Sequence, residues 1–170
     1  MLKRLLLSFS LLILAAALVS CGSGGKQTGT GQYFEVFDII GKSHRSDEWI
    51  GKQPVVLNFW GTWCGPCRKE IPDLVKLYNE YAPKGIEILS LAVKDRPDQV
   101  YSFSKQYGMR WVMLMASRDI IIRYGVASGI PQTIFLDKNG REVMRFIGAR
   151  PYETLKTGFE ALLKVRAESR

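Results

Sequence analysis

The sequence predicts an α/β domain built on a central mixed sheet with helices on both faces. Three observations carry this reading. Apolar runs of strand length, at Val55 to Trp60 and Ile86 to Val93, are separated by longer segments with apolar residues at helical spacing. Near the C-terminus two short runs meet at Asn139-Gly140, a hairpin signal, and a last helical pattern follows. Between the first run and the first helical segment stands Trp63-Cys64-Gly65-Pro66-Cys67, which places two cysteines in a tight turn and a helix's first turn.

A chain of 170 residues with 46% hydrophobic residues is one domain's worth and can bury a continuous core. The formal charge is +8, and two of the positive residues, Lys3 and Arg4, fall in a leader expected to be removed. The basic residues are scattered among Asp and Glu. No Lys/Arg block interleaved with aromatics is present, which argues against nucleic acid as a partner. Attraction to anionic membrane or acidic protein surfaces is the milder implication.

In chain order, Met1 to Arg4 is a positive n-region and Leu5 to Val19 an apolar run broken only by Ser8 and Ser10. This is the shape of a secretory signal and is short for a membrane span. It ends at Leu18-Val19-Ser20-Cys21, which resembles the lipobox of bacterial lipoproteins. The resemblance implies that Cys21 receives a diacylglyceryl group and becomes the new N-terminus. Two or more acyl chains anchor a protein stably. An uncleaved anchor helix is the alternative, and either arrangement puts the domain outside the cytoplasm on a membrane. With Gly22 rather than Asp after the cysteine, the resemblance implies the outer membrane in a diderm, or the outer face of the only membrane in a monoderm. Gly22 to Gln32 is rich in Gly, Ser and Thr and reads as a flexible tether with a reach of about 18 Å. The expected organisation is a leader over 1–20, lipidated Cys21 and tether over 21–32, and one domain over 33–170.

Tyr33 to Ile40 reads as a first strand. Gly41 to Ser46 is turn-like and puts His44 in an exposed loop. Asp47 to Gly51 reads as a single helical turn, with Trp49 covering the core. Gln53-Pro54 opens the central strand, Val55 to Trp60. Beyond the cysteines, Ile71, Leu74, Val75 and Tyr78 keep helical spacing up to Tyr81 across Pro72, an interior proline that removes a backbone hydrogen bond and kinks the helix. Pro83-Lys84-Gly85 stops that helix, and Ile86 to Val93 is a buried strand. Pro97 to Tyr107 is a second helix, with Val100, Phe103, Ser104 and Tyr107 on one side and Gly108 as its stop. Trp111 to Met115 is extended, its methionines in the core. Ser117 to Tyr124 is a short helix ended by Gly125. Thr133 to Leu136 and Glu142 to Ile147 are strands flanking the Asp137 to Gly140 turn. Pro151 to Val165 is the last helix, with Leu155, Phe159, Leu162 and Leu163 at helical spacing.

Chemistry concentrates at the two cysteines. A helix N-terminus offers unpaired N–H groups and the positive end of the macrodipole, and both stabilise a thiolate. Cys67 lies one helical turn from Cys64, close enough for a disulfide. Pro66 suits the first turn, where its missing N–H would be unsatisfied anyway. Zinc takes four ligands; the chain has three cysteines and one histidine, His44, with Cys21 otherwise explained. A purely structural disulfide closing so short a loop would constrain the unfolded chain little.

The stretch Leu57-Asn58-Phe59-Trp60-Gly61-Thr62-Trp63-Cys64-Gly65-Pro66-Cys67 resembles the active site of the thioredoxin superfamily. More specifically it is similar to the TlpA/ResA group of membrane-tethered, extracytoplasmic thioredoxin-like proteins, and the likeness spans Tyr33 to Lys164. It implies a thioredoxin-like fold in which Pro97 to Tyr107 is the group's inserted helix. It also implies a thiol:disulfide oxidoreductase with Cys64 as nucleophile and Cys67 as resolving thiol. Trp63, Gly65 and Pro66 support the site, and the Cys64–Cys67 couple works without metal or organic cofactor. The Gly-Pro pair matches thioredoxin and favours a reductase. At the position of Asn58 classical thioredoxins carry a proton-moving Asp; Asn cannot titrate. The group's acid after the next strand aligns with Asp95, one methylene shorter, as a candidate proton carrier. A solvated loop carboxylate is the alternative there. Val126 to Thr133 resembles the family's cis-proline loop, which implies that Pro131 is cis and that the backbone of Ile130 pairs with an extended client beside Cys64. An ordinary turn proline is the alternative.

Implied partners are client proteins with disulfides, apocytochrome c or cell-envelope proteins among them, and a transmembrane thiol donor that reduces the pair again. A monomer is expected. Rival readings are a lipid-tethered holder that traps apocytochrome clients, a peroxiredoxin, and a copper chaperone. A peroxiredoxin's reactive cysteine is not part of a C-x-x-C, and a copper chaperone needs a well-placed histidine.

Overall fold

In the computed structural model, which describes residues 33–168, seven strands form a single mixed sheet. The leader, Cys21 and the tether lie outside the described residues. The strands are β1 Glu35–Asp38, β2 Ser43–Arg45, β3 Val55–Trp60, β4 Glu87–Ala92, β5 Val112–Met115, β6 Gln132–Leu136 and β7 Glu142–Ile147, in the order β2-β1-β5-β4-β3-β6-β7. β3 runs parallel to β4, and β4 to β5, while β6 is antiparallel to both β3 and β7. The helices are α1 Gly65–Tyr81, α2 Pro97–Tyr107, α3 Arg118–Arg123 and α4 Tyr152–Glu168.

Every residue of β3 is buried, and its side chains alternate between two cores. Val56 and Trp60 face a core completed by Ile71, Leu74 and Leu77 of α1, Val100 and Phe103 of α2, and Leu155 and Phe159 of α4. Val55, Leu57 and Phe59 face the opposite core, closed by Phe34, Ile50, Ile120 of α3 and Val126. Both faces are therefore covered, as a strand apolar at every position but Asn58 implies. Several helix ends follow local signals: α2 starts at Pro97 and stops at Gly108, which adopts the left-handed conformation at φ 69°. Pro72 lies inside α1 on its exposed side.

The stretch expected to be a turn at 41–46 contains β2, which pairs with β1 through Val36↔His44. Ser43-His44-Arg45 has no apolar alternation, so its strand conformation comes from pairing rather than propensity. His44 is correspondingly not an exposed loop residue. Its side chain is 11% exposed, and its ring nitrogens contact Asp38 Oδ2 and Glu48 Oε2, both at 3.0 Å. These carboxylates, Glu48 first, raise the pKa of His44. Small residues at Val126–Ser128 form a 3-10 turn that the sequence reading did not anticipate.

Gly158 of α4 packs against the ring of buried Phe135; a Cβ there would lie 2.5 Å from Cε1. Phe146 and Phe159 hold that ring edge-on at 5.7 and 5.5 Å. Gly158→Ala should therefore destabilise the protein by about 1–3 kcal/mol, since overpacking exceeds the ~1 kcal/mol gained in helix propensity. A lower urea midpoint at unchanged m-value is the expected result; a higher midpoint would show that α4 can move away from the sheet.

Candidate active site

The parallel pairing of β3 with β4 brings their C-terminal ends to one edge, and antiparallel β6 begins there. The cysteine turn follows β3, Asp95 follows β4, and Ile130-Pro131 precedes β6, so three distant segments converge. Cys64 and Cys67 form a disulfide with Cα atoms 5.3 Å apart. Cys64 is the N-cap of α1, its Sγ accepting a hydrogen bond from the Cys67 backbone N–H at 3.2 Å. Cys64 is 5% exposed and Cys67 1%. Gly65 and Pro66 are exposed in the first helical turn.

Trp63 is exposed, yet its indole Nε1 donates to the Val93 carbonyl at 3.0 Å. The ring lies over Gly61, where a Cβ would be 2.8 Å from Nε1, so only glycine admits this contact. Asp95 Oδ2 accepts from the Thr62 backbone N–H at 2.6 Å and Oδ1 from the Thr62 hydroxyl at 2.9 Å. Asp95 is thus tied to the turn ahead of Cys64, and Oδ1 also accepts from its neighbour Arg96 N. A groove of about 320 Å³ separates Thr62 from Gln99, Ser102, Phe103 and Gln106 of α2. A larger one, about 700 Å³, lies between β1, α2 and β5, away from the cysteines, and has no cysteine in its lining.

The Ile130–Pro131 bond is cis, and the Ile130 carbonyl oxygen lies 3.9 Å from Cys64 Sγ. With the disulfide closed this sulfur has no proton to donate, so the approach is a contact. Buried Gln132 fixes the loop: its Nε2 donates to Ser128 Oγ and Gly129 O, both at 3.0 Å, and Oε1 accepts from Arg145 at 3.3 Å. Among the described residues no group of His, Cys, Asp and Glu is arranged to hold a metal ion.

One acid at this site escaped the sequence reading. Glu70 lies one turn beyond Cys67 on the buried stripe of α1 that also carries Ile71, Leu74 and Leu77, and it is 4% exposed. Its Oε2 accepts from the Arg150 backbone N–H at 2.8 Å and its Oε1 from the Thr133 hydroxyl at 3.4 Å. Burial pushes its carboxyl up from 4.5 to about 7 against these bonds. The clue was positional, an acid three residues after Cys67 and four before Leu74. Asn58 is buried beside it, donating from Nδ2 to Thr133 Oγ1 at 3.4 Å.

The AhpC/TSA family profile matches residues 30–143. The chain is 40% identical to the thiol-disulfide oxidoreductase ResA of Bacillus thuringiensis over 72% of its length and 70% of the relative's. It is 35% identical to the ResA of Geobacillus thermodenitrificans over 76% and 74%. The fold superposes on a thiol:disulfide interchange protein of the thioredoxin family from Chlorobium tepidum with a TM-score of 0.68 at 28% identity, covering 77% of this chain and 93% of that one.

Glu70 makes stability depend on pH with a defined sign. The unfolded chain releases this proton near 4.5, whereas the folded protein holds it to about 7. Stability therefore falls as pH rises through that window and is unaffected by Glu70 below it. Between pH 4.5 and 6.5, below the range where the raised His44 loses its contribution, the fall attributable to Glu70 is about 2–3 kcal/mol. Urea unfolding of oxidised protein should show this slope, and Glu70→Gln should flatten it. A variant as steep as wild type would assign the slope to another group.

Proposed function

The chain belongs to the AhpC/TSA family, in its TlpA/ResA-like branch of thiol:disulfide oxidoreductases, and from this premise we propose that it reduces disulfides of client proteins outside the cytoplasm. The observation that carries the reading is the Cys64 sulfur capping α1 under the Ile130 carbonyl. In the reduced enzyme the Cys67 N–H and the helix end stabilise a Cys64 thiolate. This thiolate attacks a client disulfide; a Cys64–client bond forms and the first client sulfur leaves as thiolate. Cys67, deprotonated, then attacks the Cys64 sulfur, closing the Cys64–Cys67 bond and releasing the second client thiolate. Two electrons pass from enzyme to client. No metal or organic group takes part.

Glu70 is the candidate acceptor for the Cys67 proton, because it shares the buried face of α1 and titrates near neutrality. Asp95 supports the site by a different route, holding Thr62 and through it the turn that presents Cys64. Trp63 and the Ile130-Pro131 backbone flank the sulfur, and an extended client strand pairs with Ile130 there. The Gly65-Pro66 pair favours a reductant. A transmembrane thiol donor restores the dithiol, and the monomer is anchored through diacylglyceryl-Cys21 with Gly22 to Gln32 as its tether. No helix among the described residues is long and apolar enough to cross a membrane.

Replacing Cys67 by Ala in the full-length protein should freeze clients on Cys64 as adducts that survive denaturation and dissociate with dithiothreitol, while Cys64→Ala captures none. Catalytic turnover of insulin disulfides with a recycling reductant separates an enzyme from a client holder; stoichiometric release alone would sink the reductase reading. For the anchor, wild type should partition into detergent and Cys21→Ala into the aqueous phase. Equal partitioning into detergent would favour an uncleaved apolar helix.

A further inference from the structure

Asn58, Ser90 and Thr133 occupy one rung of the sheet: β3 pairs Asn58 with Ser90 on one side and with Thr133 on the other. Their neighbours two residues away, Val56, Trp60, Ile88, Ala92 and Phe135, all belong to the core that α1 covers, so the rung faces α1. Polar side chains in such a layer need partners, and here they bond one another in series. Trp111 Nε1 donates to Ser90 Oγ at 2.7 Å, Ser90 Oγ to Asn58 Oδ1 at 3.2 Å, Asn58 Nδ2 to Thr133 Oγ1 at 3.4 Å, and Thr133 Oγ1 to Glu70 Oε1 at 3.4 Å. All five residues are at most 5% exposed.

The series has a single direction, and its origin is Trp111. An indole nitrogen only donates, so Ser90 Oγ accepts there and its own proton goes onward to Asn58. Receiving that proton on Oδ1 turns the Asn58 amide so that Nδ2 meets Thr133. Thr133 Oγ1 then accepts from Asn58, and its remaining proton points to Glu70. We propose that Trp111, Ser90 and Asn58 are positioning residues that act through Thr133, forming a one-way hydrogen-bond chain that keeps a donor aimed at Glu70 and holds this acid poised to take the Cys67 proton. The role in the resolving step rests on the function proposed above; the chain's effect on Glu70 does not.

Without the Ser90 hydroxyl, Asn58 Oδ1 loses its donor and the amide is free to turn over. Thr133 would then donate to Asn58 Oδ1 and leave Glu70 Oε1 without a proton donor. A buried carboxylate deprived of a donor protonates more readily. Other influences on Glu70 stay in place: Asp73 of α1 opposes its ionisation, and Arg150, through its backbone N–H and its charge, favours it.

Carbonyl-carbon NMR of Glu70 in the full-length oxidised protein, with Glu70→Gln to assign the signal, reads this directly. Ser90→Ala and the near-isosteric Thr133→Val should each raise the Glu70 midpoint by about half to one pH unit, the size expected for one long hydrogen bond to a charged group. Trp111→Phe, which keeps most of the ring but frees Ser90 to reorient, should raise it less, and Ser90→Thr should restore it. Thr133→Val and Trp111→Phe are separate probes at opposite ends, so loss of folding in one, seen by circular dichroism, leaves the other. A midpoint unmoved in every folded variant overturns the chain. In the reduced enzyme, the pH profile of mixed-disulfide resolution should move with the midpoint. A midpoint that shifts while this profile stays fixed supports the chain and instead overturns the assignment of Glu70 to the resolving step.

Discussion

Strand β3 is hydrogen-bonded along its length to β4 on one side and to β6 on the other. The rest of the site depends on this double pairing. Because β4 runs with β3 and β6 against it, the exits of two strands and the entrance of a third meet at one edge. The cysteine turn, the Asp95 loop and the Ile130-Pro131 loop then need only short connections to reach one another. Thr62 is bound by Asp95, Trp63 by Val93, and Cys64 lies under Ile130. A slip of one residue in either ladder would turn Asn58 to the opposite face and separate these loops.

The second constraint is the buried face of α1. This helix docks through Cys67, Glu70, Ile71, Leu74, Leu77 and Tyr81, a stripe in which an acid replaces an apolar residue. An ionised carboxylate there is disfavoured by desolvation and is tolerated because Arg150 and Thr133 donate to both its oxygens. Those opposing effects set its titration near 7. In the resolving step proposed above, a thiol that must lose its proton is served by a carboxyl in that range, since neither a fully ionised nor a fully protonated acid exchanges protons readily at neutral pH.

Exposure is distributed to match. Trp63, Gly65 and Pro66 face solvent around Cys64, while Cys67 and Glu70 are enclosed behind them. Trp63 is nonetheless held by its indole bond to Val93 and by the space above Gly61. Trp63 therefore presents a fixed aromatic surface beside Cys64, and water has little access to Cys67.

Much of this was legible in the residues. Local signals predicted α2 at Pro97–Tyr107 and β7 at Glu142–Ile147 as observed, and the strand, turn and helix around the cysteines likewise. Propensity, caps and periodicity act within a few residues of the chain, so the sequence by itself determined the kind of elements and the pair of thiols at a helix start. It did not reveal β2 or the partners of His44, which depend on cross-strand pairing of polar residues. Nor did it single out Glu70, because a charge on an amphipathic helix ordinarily lies on the solvent face. Tertiary structure alone decided that Asn58 would meet Ser90, 32 residues away, and Thr133, 75 residues away, and that this rung would face Glu70. The physical reason is that sheet register is fixed by the burial of both faces of β3 together. The alignment of particular polar side chains follows from that collective packing, and no local pattern encodes it.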